Sequence, residues 1–338
     1  MTENEPSLRK KKVAVTGATG FIGQYLTRAL CADGRYCCRL LIRNQTRAEQ
    51  LFGDIREALE FMEMDLADPN SLEGCFQGCD IVVHLAALVT HTAALDEALA
   101  VNRDGVMHLV CEAKKAGVSK FIHTSSTAAI GELKGYITEE TACKPVMSYQ
   151  IAKYESEKVC LTEYAQNGFP ALIIRPSMIY GEGVKQDLLT ISKIAKMFRI
   201  YPIVGRGENC SPALYISDMV QALLLLIEKG EPGEIYNISS EESYPIKRKV
   251  RVIANTLGIK VWTPHLPAGL LIAAFQIISA VLRCFHMQFD MQPQNILNSQ
   301  NDRFFDISKI AALGFRQRVS LEEGIERTVH DFVKRGLL

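Results

Sequence analysis

The sequence carries no excess of charge of either sign. Lys and Arg together number 38, Asp and Glu together 38, over 338 residues. Such a chain has no net field to gather nucleic acid or an anionic membrane at long range. The short basic run Arg9–Lys12 precedes the first strand and reads as a solvated tail. Also missing is any metal-binding or redox spacing of cysteine. Of ten cysteines, Cys37 and Cys38 are adjacent, Cys75 and Cys79 are four apart, and no CxxC pair or zinc-spaced Cys/His cluster occurs. No metal is expected. The N-terminal MTENEPSLRKKK has no apolar signal core. Reduced thiols in a cytoplasmic enzyme are the expectation, mostly buried as small hydrophobes. Internal repeats and low-complexity linkers are absent as well.

One stretch departs from this plain picture. Leu266 to Leu282 (LPAGLLIAAFQIISAVL) has no charge over 17 residues. A spanning helix needs about 20 apolar residues, and this run contains Pro267, Gly269, Gln276 and Ser279. Three readings stay open: a buried or substrate-covering helix, a surface that dips into a membrane, and a true span.

What the sequence does have is an alternation of short apolar runs with helical stretches. The strands expected are Val13–Thr16, Cys37–Ile42, Phe61–Met64, Ile81–Leu85, Lys120–Thr124 and Ala171–Ile174. Between them fall helices at Phe21–Ala32, Arg47–Leu51, Ser71–Gln77, Asp96–Ala116 and Tyr149–Gln166. This β-α rhythm with right-handed crossovers specifies an α/β fold, a Rossmann-type doubly wound parallel sheet with a smaller C-terminal substrate lobe. The division expected is a dinucleotide-binding domain over 1–175, with 211–240 returning to it, and a substrate lobe from 176–210 and 241–338. A helix at Met219–Glu228 and the strand-like EIYNIS serve that return. In such folds the ligand lies over the C-terminal ends of the strands.

Gly17, Gly20 and Gly23 sit three apart between the first strand and the first helix. A dinucleotide pyrophosphate binds at a helix N-terminus, where free N–H groups and the helix dipole favour negative charge. Gly17 permits the tight turn, Gly20 lets the pyrophosphate approach, and Gly23 lets helix pack on strand. A carboxylate about 20 residues further on would hold the ribose 2′-hydroxyl of NAD. Counting from Gly23 gives Arg43 instead, in RNQTR, with no acid before Glu49. Arg43 and Arg47 suit a 2′-phosphate, so NADP is expected over NAD.

Tyr149 and Lys153 are four apart, on one face if helical. A free tyrosine has a pKa of about 10, too high for efficient proton exchange at neutral pH. An adjacent ammonium and the positive nicotinamide would bring it down.

The pieces TGATGFIG (Thr16–Gly23), Asp65-Leu66, HLAA (His84–Ala87), Asn102 in VNRDG, HTSS (His123–Ser126), YQIAK (Tyr149–Lys153), RPSMIYG (Arg175–Gly181) and YISDM (Tyr215–Met219) occur in this order. With them the chain resembles the extended short-chain dehydrogenase/reductases, the epimerase/dehydratase and 3β-hydroxysteroid dehydrogenase group, over nearly its whole length. The resemblance implies a Ser-Tyr-Lys site. Ser126 rather than Ser125 would polarise the substrate oxygen, Tyr149 would exchange the proton, and Lys153 would bind the nicotinamide ribose. Asn102 would hold a water linking Lys153 to solvent. It further implies cofactor contacts from Thr16, Thr19, Phe21 and Ile22 in the turn, Asp65 and Leu66 at the adenine, Leu85, Ala86 and Ala87 along the backbone, and Pro176. His84 reads as a packed core histidine. The dehydratase branch places Asp and Glu where Thr127 and Ala128 stand, and a frequent tyrosine is Ile130, so sugar dehydration is not expected.

The function expected is hydride transfer between nicotinamide C4 and a carbinol or ketone carbon, on a lipid-like or steroid-like substrate. A nucleotide-sugar 4-epimerase with tightly bound NAD is the alternative, and a non-enzymatic NAD(P)-sensing protein a third. A small-molecule substrate and no nucleic acid are expected as partners. A homodimer and peripheral membrane contact through 266–282 stay open.

Overall fold

The computed structural model of the protein describes residues 9–89, 92–184, 188–267, 269–270, 272–273 and 302–338. The expected strands form, as β1 (Lys11–Thr16), β2 (Tyr36–Ile42), β3 (Leu59–Glu63), β4 (Ile81–His84), β5 (Lys120–Thr124), β7 (Ala171–Pro176) and β11 (Ile235–Ile238). They make one seven-stranded sheet in the order β11-β7-β5-β4-β1-β2-β3, parallel throughout. Val13, Ala14 and Val15 are fully buried in succession. A strand covered on both faces needs such an unbroken apolar run, which is why helices must flank this sheet on both sides.

On one face lie α1 (Phe21–Asp33), α2 (Gln45–Phe52) and α7 (Ile216–Lys229), which bury Leu26, Leu30, Phe52, Leu223 and Leu226. On the other lie α4 (Gly105–Ala116) and α5 (Ser148–Asn167), which bury Val106, Leu109, Val110 and Cys160. Chain order reverses beside β1, whose neighbours are β2 and β4, so the loops after β1 and β4 flank a crevice.

A third core builds the smaller lobe. Its sheet runs β12 (Ser243–Pro245), β10 (Cys210–Tyr215), β8 (Met178–Tyr180). Around Tyr180, Ala213 and Tyr244 pack α6 (Leu188–Phe198), α8 (Ile246–Thr256) and the helix Leu321–Lys334. Two strand pairs complete it: β6 (Gly135–Ile137) with β14 (Arg303–Phe305), and β9 (Ile203–Val204) with β13 (His265–Leu266).

The chain departs from the sequence reading in several places. The expected helix at Ser71–Gln77 is a 3-10 turn over Pro69–Leu72 followed by turns, because the Asp68 carboxylate caps the turn through Asn70 N. The expected helix Asp96–Ala116 runs through without a break, but it carries a π-helical turn over Ala100–Asp104 between α3 (Leu95–Leu99) and α4. Within 211–240, α7 and β11 join the main sheet, but β10 belongs to the small one. Ile310 and Phe315, far along the chain, pack into the main core. Of the cysteines, Cys38, Cys75, Cys79 and Cys160 are buried thiols, whereas Cys111 is exposed. Most of the uncharged segment 266–282 lies outside the described residues. Among the described residues no helix is long and apolar enough to cross a membrane.

Candidate active site

The glycine turn after β1 is shaped by contact rather than by looseness. Gly17 has φ +65°, and a Cβ there would lie 2.7 Å from Ala86 N and 2.9 Å from Leu85 C. The turn therefore presses directly on the loop after β4. A Cβ on Gly23 would lie 2.3 Å from Gly17 O, so only glycine lets α1 close on β1. Gly20 caps α1 without a side-chain hydrogen bond, and the first turn holds no acid. The first-turn amides thus face an N-terminal site whose dipole favours an anion. Phe21 and Ile22 open α1 and pack against the small lobe.

Thr16 does not face the turn's ligand side. It is fully buried, its Oγ accepts from Leu85 N and Ala86 N, both at 3.1 Å, and it lies 2.7 Å from His84 Nδ1. With both lone pairs used, the hydroxyl proton goes to Nδ1 and leaves His84 protonated at Nε2. Thr16 is thus a tie between β1 and the loop Leu85–Ala87. Burial, reinforced by the charge of Lys153, lowers His84 to about 3, so it stays neutral, as a packed core histidine should.

Arg43 stands exposed just past β2, and Arg47 lies on α2. The α2 N-cap Asn44 accepts from Arg47 N at 2.8 Å, and Arg47 Nη2 reaches Thr19 O at 3.4 Å. Arg47 therefore borders the glycine turn, and Arg43 stands exposed at the end of the neighbouring strand. Asp65 is exposed beyond β3, with its carboxylate accepting from Ala67 N at 3.0 Å. Leu66 beside it is buried against Gly105. Pro176 ends β7, buried.

At the C-terminal end of β5 the two serines part company. Ser125 is buried, while Ser126 is half-buried in extended backbone and caps a 3-10 turn through Ala128 N at 3.1 Å. Tyr149 stands beside Ser126, whose hydroxyl favours the phenolate. Burial pushes the Tyr149 phenol up and the nearby Ser126 hydroxyl opposes it. The lowered tyrosine expected from the sequence is therefore not produced by the protein alone. Lys153 does lie one turn along α5, but its buried Nζ donates to Thr124 O at 2.6 Å. Burial lowers this ammonium to about 8, opposed by Glu157.

Asn102 has a partner that the motif did not disclose. It is buried in the π-helical turn, accepting from Leu88 N at 2.8 Å and donating to Leu88 O at 3.0 Å. These two bonds hold the loop after β4, and π-turns of this kind commonly mark functional sites.

Three supports went unread in the sequence. Ser156 Oγ donates to Lys153 O at 2.7 Å and lies 2.8 Å from His123 Nε2, so it accepts from that ring. The His123 ring stacks on His84 at 5.4 Å, and burial holds it neutral. Further along, Arg175 Nε and Nη2 grip Glu157 at 2.9 and 2.7 Å, fully buried. Gln150 donates to Glu132, which also pairs with Arg303. The signal for Glu157 was available: Tyr149, Lys153 and Glu157 recur every four residues. Among the described residues no cluster of His, Cys, Asp and Glu is set to hold a metal.

Comparison with known proteins agrees with this geometry. The model of the NAD dependent epimerase/dehydratase family matches residues 13–239. The 3beta-hydroxysteroid-dehydrogenase/decarboxylase isoform 2 of Arabidopsis thaliana is 24% identical, over 94% of this chain and 61% of that protein. The dTDP-D-glucose 4,6-dehydratase of Mus musculus is 27% identical, over 97% of this chain and 90% of that one. Among solved structures, UDP-glucuronic acid 4-epimerase from Bacillus cereus in complex with NAD shares the fold, with a TM-score of 0.78 at 22% identity, covering 97% and 100% of the two chains. The resemblance read from the motifs thus holds at the level of fold and enzyme group, and the chain belongs to the NAD dependent epimerase/dehydratase family.

Proposed function

We propose that the protein is an NADP(H)-dependent oxidoreductase that interconverts a carbinol and a ketone on a lipid-like or steroid-like substrate. The observation that carries this reading is the placing of Tyr149 beside Ser126 at the end of β5, one helical turn from buried Lys153. A dinucleotide fits the chain's own features: a glycine cap with no side-chain partner at the start of α1, and no first-turn acid to repel phosphate. Gly17, Gly20 and the first-turn amides would hold the pyrophosphate, Asp65 and Leu66 the adenine side, and Lys153 the nicotinamide ribose. A bound nicotinamide would supply hydride exchange at the substrate carbon.

The chain does the rest. Ser126 Oγ holds the substrate oxygen, and Tyr149 Oη gives or takes its proton. Because burial favours the neutral phenol, Tyr149 rests as a proton donor, which suits reduction of a ketone. Lys153, fixed by Thr124 O, keeps a positive charge beside the site near neutral pH. Arg43 and Arg47 support NADP: Arg47 reaches the turn, and Arg43 is exposed past β2, where an acid would serve NAD. Exposed Val89 and Val146, on the stretches leading from β4 and into α5, suit an apolar substrate. So does the Arabidopsis relative, whose name is that of a steroid enzyme.

A second reading is a nucleotide-sugar 4-epimerase with retained NAD, favoured by the NAD-bound Bacillus cereus structure. A purely nucleotide-sensing role has no use for an acid–base tyrosine. The test is Tyr149→Phe. Turnover should fall roughly 10²–10⁴-fold while NADP(H) affinity stays near wild type. Turnover within about tenfold of wild type would remove Tyr149 from the proton step.

A further inference from the structure

The charge balance of the whole chain conceals a local imbalance. Residues 188–207 contain four basic and no acidic residues, and residues 246–267 contain five basic and no acidic residues. These stretches meet in space. Trp262 N donates to Arg199 O at 2.8 Å, Tyr201 N donates to Trp262 O at 2.9 Å, and β9 pairs with β13 just beyond. Some of the cations are spent internally: Lys247 pairs with Glu208, Arg248 with Glu322, and Lys249 Nζ reaches Ser211. Lys193, Lys196, Arg199 and Lys260 are exposed, and none pairs with a carboxylate among the described residues.

Between these cations the chain leaves large apolar groups in solvent. Trp262 and Met197 are each 68% exposed, Phe198 59% and Ile200 38%. Helix α6 accounts for Met197 and its neighbours. It buries Leu188, Leu189, Ser192 and Ala195 in the lobe, so Lys193, Lys196 and Met197 fall on the outer face. The helix stops at Arg199, which has φ +57°, and the chain turns there to place Ile200 against Trp262. Scattered exposed hydrophobes are normal in a folded protein, but a contiguous group with a tryptophan marks an interaction surface.

We infer that the surface formed by Met197, Phe198, Ile200 and Trp262, rimmed by Lys193, Lys196, Arg199 and Lys260, docks the protein on an anionic lipid bilayer. Charge decides the occupant. A second copy would set the same cations against themselves, a repulsive arrangement across a two-fold interface. A headgroup layer of anionic lipid attracts them, and tryptophan, phenylalanine and methionine suit the headgroup–acyl boundary. The surface stands independently of the substrate assignment above. In sequence it runs directly into the uncharged stretch 266–282.

The chain contains one tryptophan, Trp262, so its emission reports this surface alone. The experiment adds phosphatidylcholine vesicles, with or without about a third phosphatidylserine, to the full-length protein. Trp262 emission should shift to shorter wavelength and the protein should float with the anionic vesicles. Each basic residue near such a surface is worth about fivefold in partitioning, so the preference for anionic over neutral vesicles should be on the order of 10²-fold, and salt should weaken it. Met197→Glu with Phe198→Glu should reduce binding at least about tenfold while melting as wild type does. Lys193→Glu with Lys196→Glu should abolish the anionic preference. The inference is overturned by any of four results: no emission shift with anionic vesicles, equal binding by the variants, Trp262 shielded from acrylamide in vesicle-free protein, or shielding that grows with protein concentration. The third would mean that another part of the chain covers the surface, the fourth that a second copy does.

Discussion

Arg43 and Lys153 are the two single residues on which most of the chemistry can be checked. If Arg43 contacts a 2′-phosphate, a charge-assisted hydrogen bond to it contributes about 1.5–3 kcal/mol. Arg43→Asp should then lower the ratio of NADP to NAD affinity by on the order of 10- to 100-fold, read by titration with both nucleotides. An unchanged ratio would assign Arg43 to the solvent. Lys153 carries a linkage that is visible without substrate. Burial holds its pKa at about 8 in the folded protein against an ordinary 10.5. Between those values the unfolded chain keeps a proton that the folded chain has released, so raising the pH favours folding. Relative to Lys153→Met, the wild type should gain stability by about 3 kcal/mol across that window, and nothing further above it. Denaturant unfolding of both proteins from neutral to alkaline pH measures this. Parallel curves would mean that Lys153 titrates normally.

At the scale of elements, the β1–turn–α1 unit is the most constrained. Gly23→Ala would drive a Cβ into Gly17 O and Ala18 backbone, atoms that cannot rotate away. The expected outcome is a loss of about 1–3 kcal/mol in stability together with weaker dinucleotide binding, seen by thermal melting and nucleotide titration. Melting and affinity both at wild-type values would show that α1 does not need to lie so close. This unit was legible in the sequence because everything it needs is local: an apolar run, three glycines, then a helix. Tyr149 and Lys153 were legible for the same reason, as a spacing within one helix. What escaped depends on distant partners. Asn102 was visible as a motif residue, but its bond to Leu88 comes from the fold, and the same bond accompanies the π-turn carried by the expected helix Asp96–Ala116. Continuous apolar periodicity gave no sign of that π-turn. The spacing of Tyr149 and Lys153 reveals a neighbouring charge and conceals burial, which raises the phenol in the protein by itself. The pairing of β10 with β8 and β12, instead of with the main sheet, rests on contacts that no window along the chain contains.

For the whole molecule, near-zero net charge was a sound description and a poor guide to the surface. The acids are spread so that two stretches of the smaller lobe, 188–207 and 246–267, have none, and averaging over the chain removes that fact. The fold places the glycine turn after β1 and the Ser126–Tyr149 pair after β5 at the same end of one parallel sheet, an arrangement that would serve redox chemistry and epimerisation alike. The two differ in the fate of the nucleotide, so the decisive measurement is its stoichiometry. Purified protein is supplied in turn with apolar ketones and with UDP-sugars, and product is followed alongside the absorbance of reduced nicotinamide. The expected result is consumption of NADPH in proportion to ketone reduced, lost in Tyr149→Phe. Interconversion of a UDP-sugar with free NADP(H) constant, and NAD retained through purification, would contradict net oxidoreduction and establish the epimerase reading in its place.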